Sequence, residues 1–387
     1  MKYQKFLIIA TSYVTVGALG LYVSLYQFTL LSLSQFFGLN STMMGLFIAI
    51  QYFAISLPPL FLGLLSVKIG KKRVLLISFG LMIAGTFIVG YLDSLISFII
   101  AIFIIGAGLS VLEATFSAVL ADEFPEKSKQ HLNFSQVCFS IGAVSSPFIS
   151  TLLIKSGIYF KDLYIYISVV FLIAGIAFLF VKFSNDKGVQ QTQKSTFSAL
   201  GYLKNRAFLF LAISIFLYVG IENTIAAFAD SYFELTLKQP QMSALALAIF
   251  WGAMIPSRLL AGILKVDTKK LLVFSGCLVF AAAIGAMLIA DYNTKIIFFA
   301  LCGFGCGPIW PFIMNTTATK FKGFSAPALN IMMSFGGLGG AAVPFLSGIM
   351  VNFSNTKAAY YFASLMIILM IGFYIGSVRT RSIDNEK

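Results

Sequence analysis

Histidine occurs once in this chain, at His131, where a loop is expected, and acidic side chains number only 14 among 387 residues. One imidazole cannot make a His-Glu-x-x-His zinc motif, and it offers no intramembrane general base. The four cysteines, Cys138, Cys277, Cys302 and Cys306, all fall inside apolar runs. Cys302 and Cys306 share a helix face at i, i+4, but without histidine partners they read as small packing residues rather than metal ligands. The Gly-x-x-x-x-Gly-Lys-(Ser/Thr) loop that cradles nucleotide phosphates is missing, so ATP is not the evident driver of whatever work is done. No cofactor and no metal are implied, and an enzyme is not expected. Charge is scarce as well, at 11% of residues, against about 25% in a soluble domain. No polar stretch is long enough to fold as a separate soluble domain.

Apolar residue is what the chain has in abundance: 59% of the whole, with a mean hydropathy of +0.93. Twelve apolar runs follow one another, at 6–30, 42–65, 73–91, 95–119, 132–154, 163–183, 205–232, 241–264, 271–290, 295–318, 324–352 and 357–378. Most are of about 20 residues or more, which matches a hydrocarbon layer of roughly 30 Å. The runs are unbroken rather than alternating, so they predict helices and not barrel strands. An all-α membrane protein with twelve transmembrane helices is expected, and the lipid bilayer is its principal partner. Lys2 and Lys5 precede a run too long for a signal peptide, so that run is expected to stay as the first span.

The net charge of +13 is arranged by membrane side rather than in a nucleic-acid-binding stripe. Most of the 27 lysines and arginines fall on the side that holds the N-terminus. That bias predicts cytoplasmic termini, and a bacterial inner membrane is the expected location. The longest polar break, SNDKGVQQTQKSTFSALGYLK, has six runs before it and six after. Two six-helix bundles, 1–183 and 205–387, joined by a cytoplasmic linker at 184–204, are expected. The linker reads as a tether or as a short surface helix near 195–203.

Gly63-Leu-Leu-Ser-Val-Lys-Ile-Gly-Lys-Lys-Arg73 follows the second run, and Gly262-Ile-Leu-Lys-Val-Asp-Thr-Lys-Lys270 follows the eighth. In both, glycine is expected to end the helix ahead of a basic cluster. The first break resembles the signature Gly-x-x-x-Asp-(Arg/Lys)-x-Gly-x-(Arg/Lys)-(Arg/Lys) of the major facilitator superfamily. Gly63, Lys68, Gly70, Lys72 and Arg73 match it and inherit a gating role, while Val67 stands where the family has Asp. The resemblance implies a secondary transporter of the major facilitator fold, with a small-molecule substrate.

Ionisable groups at membrane depth are functional candidates by default. Glu113 lies in the fourth run, Glu222 in the seventh and Arg258 in the eighth. Gln136, early in the fifth run, falls close in depth to Glu113. A desolvated carboxyl there can take up a proton, or it can serve helix packing as a protonated side chain.

The stretches Leu112-Glu113-Ala114, His131-Leu-Asn-Phe-Ser-Gln136 and Ser140-Ile-Gly-Ala143 resemble the fucose:proton symporter branch and its glucose/galactose relatives. Tyr218-Val-Gly220, Phe250-Trp-Gly252, Arg258 and Pro308-Ile-Trp-Pro311 extend the likeness into the second half. The resemblance implies coupled import of a small sugar with H⁺, or alternatively Na⁺. Glu113 inherits coupling and sugar contact, Gln136 inherits sugar contact, and Gln27 stands where the fucose pattern has an Asp. Glu222 is a candidate second carboxylate.

Asn133, Asn223 and Asn315 are further candidates for solute contact. Trp251 and Trp310 suit stacking on a sugar ring or, alternatively, anchoring at an interface. Arg258 reads as a structural residue, able to snorkel toward the cytoplasm, or as a partner for an anionic cargo. A proton-driven efflux antiporter for drugs or metabolites is the competing function. The fifth run reads Ile141-Gly-Ala-Val-Ser-Ser-Pro147 and lacks most of the Gly-x-x-x-Gly-Pro-x-x-Gly-Gly pattern that such exporters often carry. A monomer is the expected state.

Overall fold

The computed structural model describes residues 2–38, 41–58, 69–183, 204–264, 266–321 and 325–380. These are helical almost throughout, and no strand occurs among the described residues. The first six helices are α1 (Lys2–Phe36), α2 (Ser41–Ser56), α3 (Lys71–Tyr91), α4 (Leu95–Glu123), α5 (Ser128–Lys155) and α6 (Asp162–Leu179). After the linker come α7 (Arg206–Ser231), α8 (Pro240–Ile263), α9 (Thr268–Leu288), α10 (Tyr292–Cys306), α11 (Ile309–Lys320), α12 (Ser325–Phe353) and α13 (Lys357–Arg379). Eleven stretches, with α10 and α11 joined as one, are long and apolar enough to cross a membrane. α2 starts the predicted run 42–65, whose later part lies outside the described residues, as do Gly63, Val67 and Lys68 and the linker 184–203.

Local chemistry sets the helix ends. Gly70 and Gly157 adopt φ of 88° and 90°, conformations that favour glycine, and turn the chain into α3 and out of α5. At α5 the amide of Ile158 bonds the carbonyl of Leu153 at 3.1 Å, which closes the last turn. Asp291 caps α10. The hydroxyl and amide of Thr294 both donate to it, at 2.6 and 2.7 Å, and hold its carboxyl below the ordinary range.

Three expectations need correction. His131 is not in a loop, because α5 begins at Ser128 and carries it in its first turn, where its Nδ1 lies 2.8 Å from Tyr13 Oη. Gly262 does not end α8, which runs on to Ile263. Its missing side chain lets α8 approach Asn133 and Phe134 of α5. The run at 295–318 is not one helix. It breaks between Cys306 and Ile309, where Pro308 and Pro311 bring no N–H to the helical ladder.

Helix ends leave carbonyls without intrahelical donors, and hydrocarbon has no water to replace them. Lysines take that role here, each reaching from one helix to the end of another. Lys72, at the start of α3, donates to Leu179 O and Val181 O at the end of α6, at 2.8 and 2.6 Å. Reciprocally, Lys161 just before α6 is buried and donates to Leu92 O at the end of α3, at 2.8 Å, and to Asp93. Lys295 is buried as well, and donates to Ala286 O at 2.7 Å, to Ile289 O and to Tyr232 Oη. Lys320 donates to Ser377 O at 2.6 Å and to Thr380 O at 3.1 Å. A cation at a helix C-terminus also meets the negative end of its dipole.

Between the ends, helices touch backbone to backbone. A Cβ on Gly20 of α1 would stand 2.0 Å from Phe139 O of α5, and one on Gly339 of α12 would stand 1.8 Å from Phe216 O of α7. The pairing of α2 with α4 through Gly106 recurs in α8 with α10, where a Cβ on Gly303 would lie 1.9 Å from Phe250 O. Small residues at such crossings permit the van der Waals contact that holds membrane helices together.

Gly339→Ala is therefore expected to lower stability by about 1–3 kcal/mol, the range for overpacking. Gly372→Ala, where nothing lies within 4 Å, is expected to be neutral or slightly stabilising; thermal unfolding of the two purified variants measures the contrast. Lys161→Met leaves Leu92 O without its donor, and a loss of about 1–3 kcal/mol is expected in the same assay.

Candidate functional site

A central cavity with an empty volume of about 710 Å³, its mouth included, lies among the helices of both halves. Its wall is mostly apolar and aromatic, with Phe139, Trp251, Trp310 and Met333 among the larger groups. The polar groups are few: Tyr52, Glu113, Gln136, Glu222, Asn223 and Arg258.

Glu113 stands in the part of α4 where every residue from Ile105 to Ala121 is buried. Gln136 of the neighbouring α5 donates from Nε2 to its Oε1 at 3.1 Å. Among the described ion pairs none involves Glu113. An unpaired carboxylate in such surroundings is costly, and a proton removes the cost.

Glu222 faces the cavity from α7. Tyr218, one turn earlier on the same helix, has its hydroxyl 2.6 Å from Glu222 Oε1 and 2.9 Å from Cys306 O. Arg258 Nη2 lies 3.9 Å from the same carboxylate oxygen. Arg258 is 2% exposed and does not snorkel. Residue 311 is proline, so Gly307 O loses its helical donor, and Arg258 Nε supplies one at 2.9 Å. Nη1 crosses to α5, donating to Gln136 O at 2.9 Å and to Ser140 Oγ. The guanidinium thus joins α8, the break in the tenth crossing, and α5.

A second bridge between the halves runs from Tyr52 Oη of α2 to Asn223 Oδ1 of α7. Asn223 directs its own Nδ2 to Val219 O at 2.7 Å, and the Tyr52 ring lies against Gly340 of α12. Nothing in the sequence singles out Tyr52. Tyr218 was detectable in principle, since i, i+4 spacing puts it beside Glu222 on a helix.

Six of the sequence-derived solute contacts share the cavity: Glu113, Gln136, Glu222, Asn223, Trp251 and Trp310. Both tryptophans are buried in its wall, at 4% and 6% exposure, rather than anchored at an interface. Three others lie outside it. Asn133 precedes Gln136 by three residues, faces Gly262 of α8, and donates to Lys129 O at 2.8 Å. Asn315 sits more than one turn beyond Trp310 and is approached by Ser128 Oγ at 3.4 Å. Gln27 lies a turn beyond Val23 of the wall, with a buried Oε1 that has no partner among the described residues. Of the basic motif, Gly70 makes a turn, Lys72 caps α6 and Arg73 is exposed.

Comparison with known proteins agrees with this architecture. The profile of the Major Facilitator Superfamily matches residues 6–323 and 240–386. Two Helicobacter pylori proteins, provisionally named glucose/galactose transporters, are 26% and 25% identical over 302 residues, covering 72% of each chain. Among solved structures, a fucose:proton symporter from E. coli superposes with a TM-score of 0.80 at 18% identity, over 96% of this chain and 98% of that one. A proton:xylose symporter bound to 6-bromo-6-deoxy-D-glucose gives 0.76 at 14% identity, over 98% and 97%. A human organic anion transporter gives 0.78 at 12% identity, over 95% and 99%. At these identities the structural likeness is one of fold. With a matching profile over nearly its whole length and helices built to cross a membrane, the chain belongs to the major facilitator superfamily and is an integral membrane transporter, not an enzyme.

Proposed function

We propose that this transporter imports a small neutral sugar together with a proton by alternating access. In this reading residues 1–183 and 205–387 are two lobes that rock about the central cavity, with 184–204 as their tether. Both termini face the cytoplasm, in keeping with the basic residues gathered on the N-terminal side. A bacterial inner membrane is the setting that its Helicobacter pylori relatives suggest.

The observation that carries the proposal is the position of Glu113. Its carboxyl is buried in the cavity wall, bonded to Gln136 and without a cationic partner among the described residues. With both carboxylates ionised, the cavity groups Glu113, Glu222 and Arg258 carry one uncompensated negative charge. One proton on Glu113 cancels it. Proton and sugar then enter one compartment, and each affects the free energy with which the other binds. Glu222 supplies a second carboxylate from the opposite lobe. Trp251 and Trp310 offer flat apolar faces to a sugar ring, and Gln136 and Asn223 offer hydrogen bonds to its hydroxyls.

Arg258 favours a neutral cargo over an organic anion. Its Nε and Nη1 are engaged by Gly307, Gln136 and Ser140, and Nη2 faces Glu222. An anion would have to take Nη2, the guanidinium nitrogen that faces Glu222, and would set a second negative charge beside that buried carboxylate. As a link between α5 and α8, Arg258 acts on lobe geometry instead.

Proteoliposomes with an imposed pH gradient, acid outside, test the proposal with D-glucose and D-galactose as probes. Accumulation of at least one sugar is expected, and an imposed Na⁺ gradient alone should not drive it. Glu113→Gln should abolish accumulation. Coupled uptake that is unchanged in Glu113→Gln, or accumulation only against the proton gradient, would refute it.

A further inference from the structure

We infer that Tyr218 is a positioning residue that ties the protonation of Glu222 to the break in the tenth membrane crossing. The inference extends the reading above by letting Glu222, its second carboxylate, take up a proton as well, and it is independent of the cargo.

The argument rests on a count of protons. Tyr218 Oη is fully buried and stands within hydrogen-bond distance of two oxygens, Glu222 Oε1 at 2.6 Å and Cys306 O at 2.9 Å. A phenol has one proton to donate, and a backbone carbonyl can only accept. An ionised carboxylate can only accept as well. Two acceptors then compete for one donor, and whichever loses it is left buried and unmatched. A protonated Glu222 resolves the conflict. Its O–H donates to Tyr218 Oη, and Tyr218 donates to Cys306 O. When that proton leaves to water in the cavity, the carboxylate draws the phenolic hydrogen bond back and Cys306 O loses it. No other bond is made or broken.

The location of Cys306 O gives the competition a structural consequence. It ends α10, next to Gly307 O, whose helical donor Pro311 removes. Tyr218 holds the first of these carbonyls and Arg258 holds the second. These two donors are also the neighbours on which an ionised Glu222 draws, the guanidinium lying 3.9 Å away. Loss of the proton therefore draws the Tyr218 donor away from the break while Arg258 Nε keeps Gly307 O, and gain of the proton returns it. Trp310 stands in the first turn of α11, directly after the break, and lines the cavity. Its position is the element that the proton biases. The other ionisable groups near Glu222 are Arg258 from α8, Tyr52 from α2, Glu113 from α4 and Cys306 from α10.

Tryptophan occurs only at 251 and 310, so Trp251→Phe leaves Trp310 as the sole indole reporter. Purified protein carrying that substitution is titrated with pH while the Trp310 emission is recorded, with no sugar present. A reversible change in emission is expected. Adding Glu222→Gln should hold the spectrum at its acid form, because the amide N–H donates to Tyr218 as the protonated carboxyl does. Adding Tyr218→Phe should abolish the change while Glu222 remains. Adding Glu113→Gln should preserve it, which separates this device from the coupling site. A change that persists in either of the first two variants, or is absent from the Trp251→Phe parent, overturns the inference. Failure of sugar uptake in vesicles would leave this readout unaffected.

Discussion

A carbonyl oxygen with no donor cannot turn to water inside a bilayer, and that constraint organises this molecule. Each helix end and each proline creates such oxygens. Lys72, Lys161, Lys295, Lys320 and Arg258 answer them with side chains from neighbouring helices. Part of the chain's large positive charge is therefore internal structure rather than surface charge. A lysine at the head of one helix that holds the tail of its antiparallel neighbour also sets their relative height. The α3–α6 pair does this at both ends, through Lys72 and Lys161.

The same logic, applied at mid-membrane, builds the cavity. Burying a guanidinium has a desolvation penalty of several kcal/mol, offset only when its donors are well matched. Arg258 meets that condition because Pro311 has freed a carbonyl and because α5 passes close enough to offer another. The close passage is itself a product of small residues. Gly307 sits where a Cβ would lie 2.2 Å from Ser257 Oγ, and Gly262 lets α8 lean on Asn133 and Phe134. Packing, backbone satisfaction and electrostatics thus converge on one junction between the halves.

The architecture was legible in the sequence because a bilayer imposes a single dimension, and run length reports it directly. Glu113, Gln136 and Glu222 were legible for the related reason that polar groups are rare at that depth. Asn133, Asn315 and Gln27 show the limit of this reasoning: membership of an apolar run does not place a side chain at the level of the cavity. Asn133 shares a helix with Gln136 but lies nearly one turn away, where it meets Gly262 of α8. Tyr52 was invisible because tyrosine is common in this chain and its bond to Asn223 joins residues distant in sequence. The fracture at Gly307 was readable only as a tendency to bend. The partners of the freed carbonyl come from α8, and no local pattern announces them. Among the described residues the basic motif after α2 likewise divides into a turn, a cap and an exposed side chain, although it reads as one unit.

In the alternating-access reading proposed above, the contact between Lys129 and Leu264 O bears on the order in which the halves come apart. It spans 3.2 Å at the exposed rim between α5 and α8, with the ammonium also over the Phe312 ring at 5.5 Å. Solvent can replace that bond as it lengthens, so parting the rim has a small enthalpic penalty. The Arg258 contacts lie deeper on the same two helices and have no such substitute until water has followed. Separation of α5 from α8 is then a zipper with a wet end and a dry end, and hydration must advance from the first to release the second.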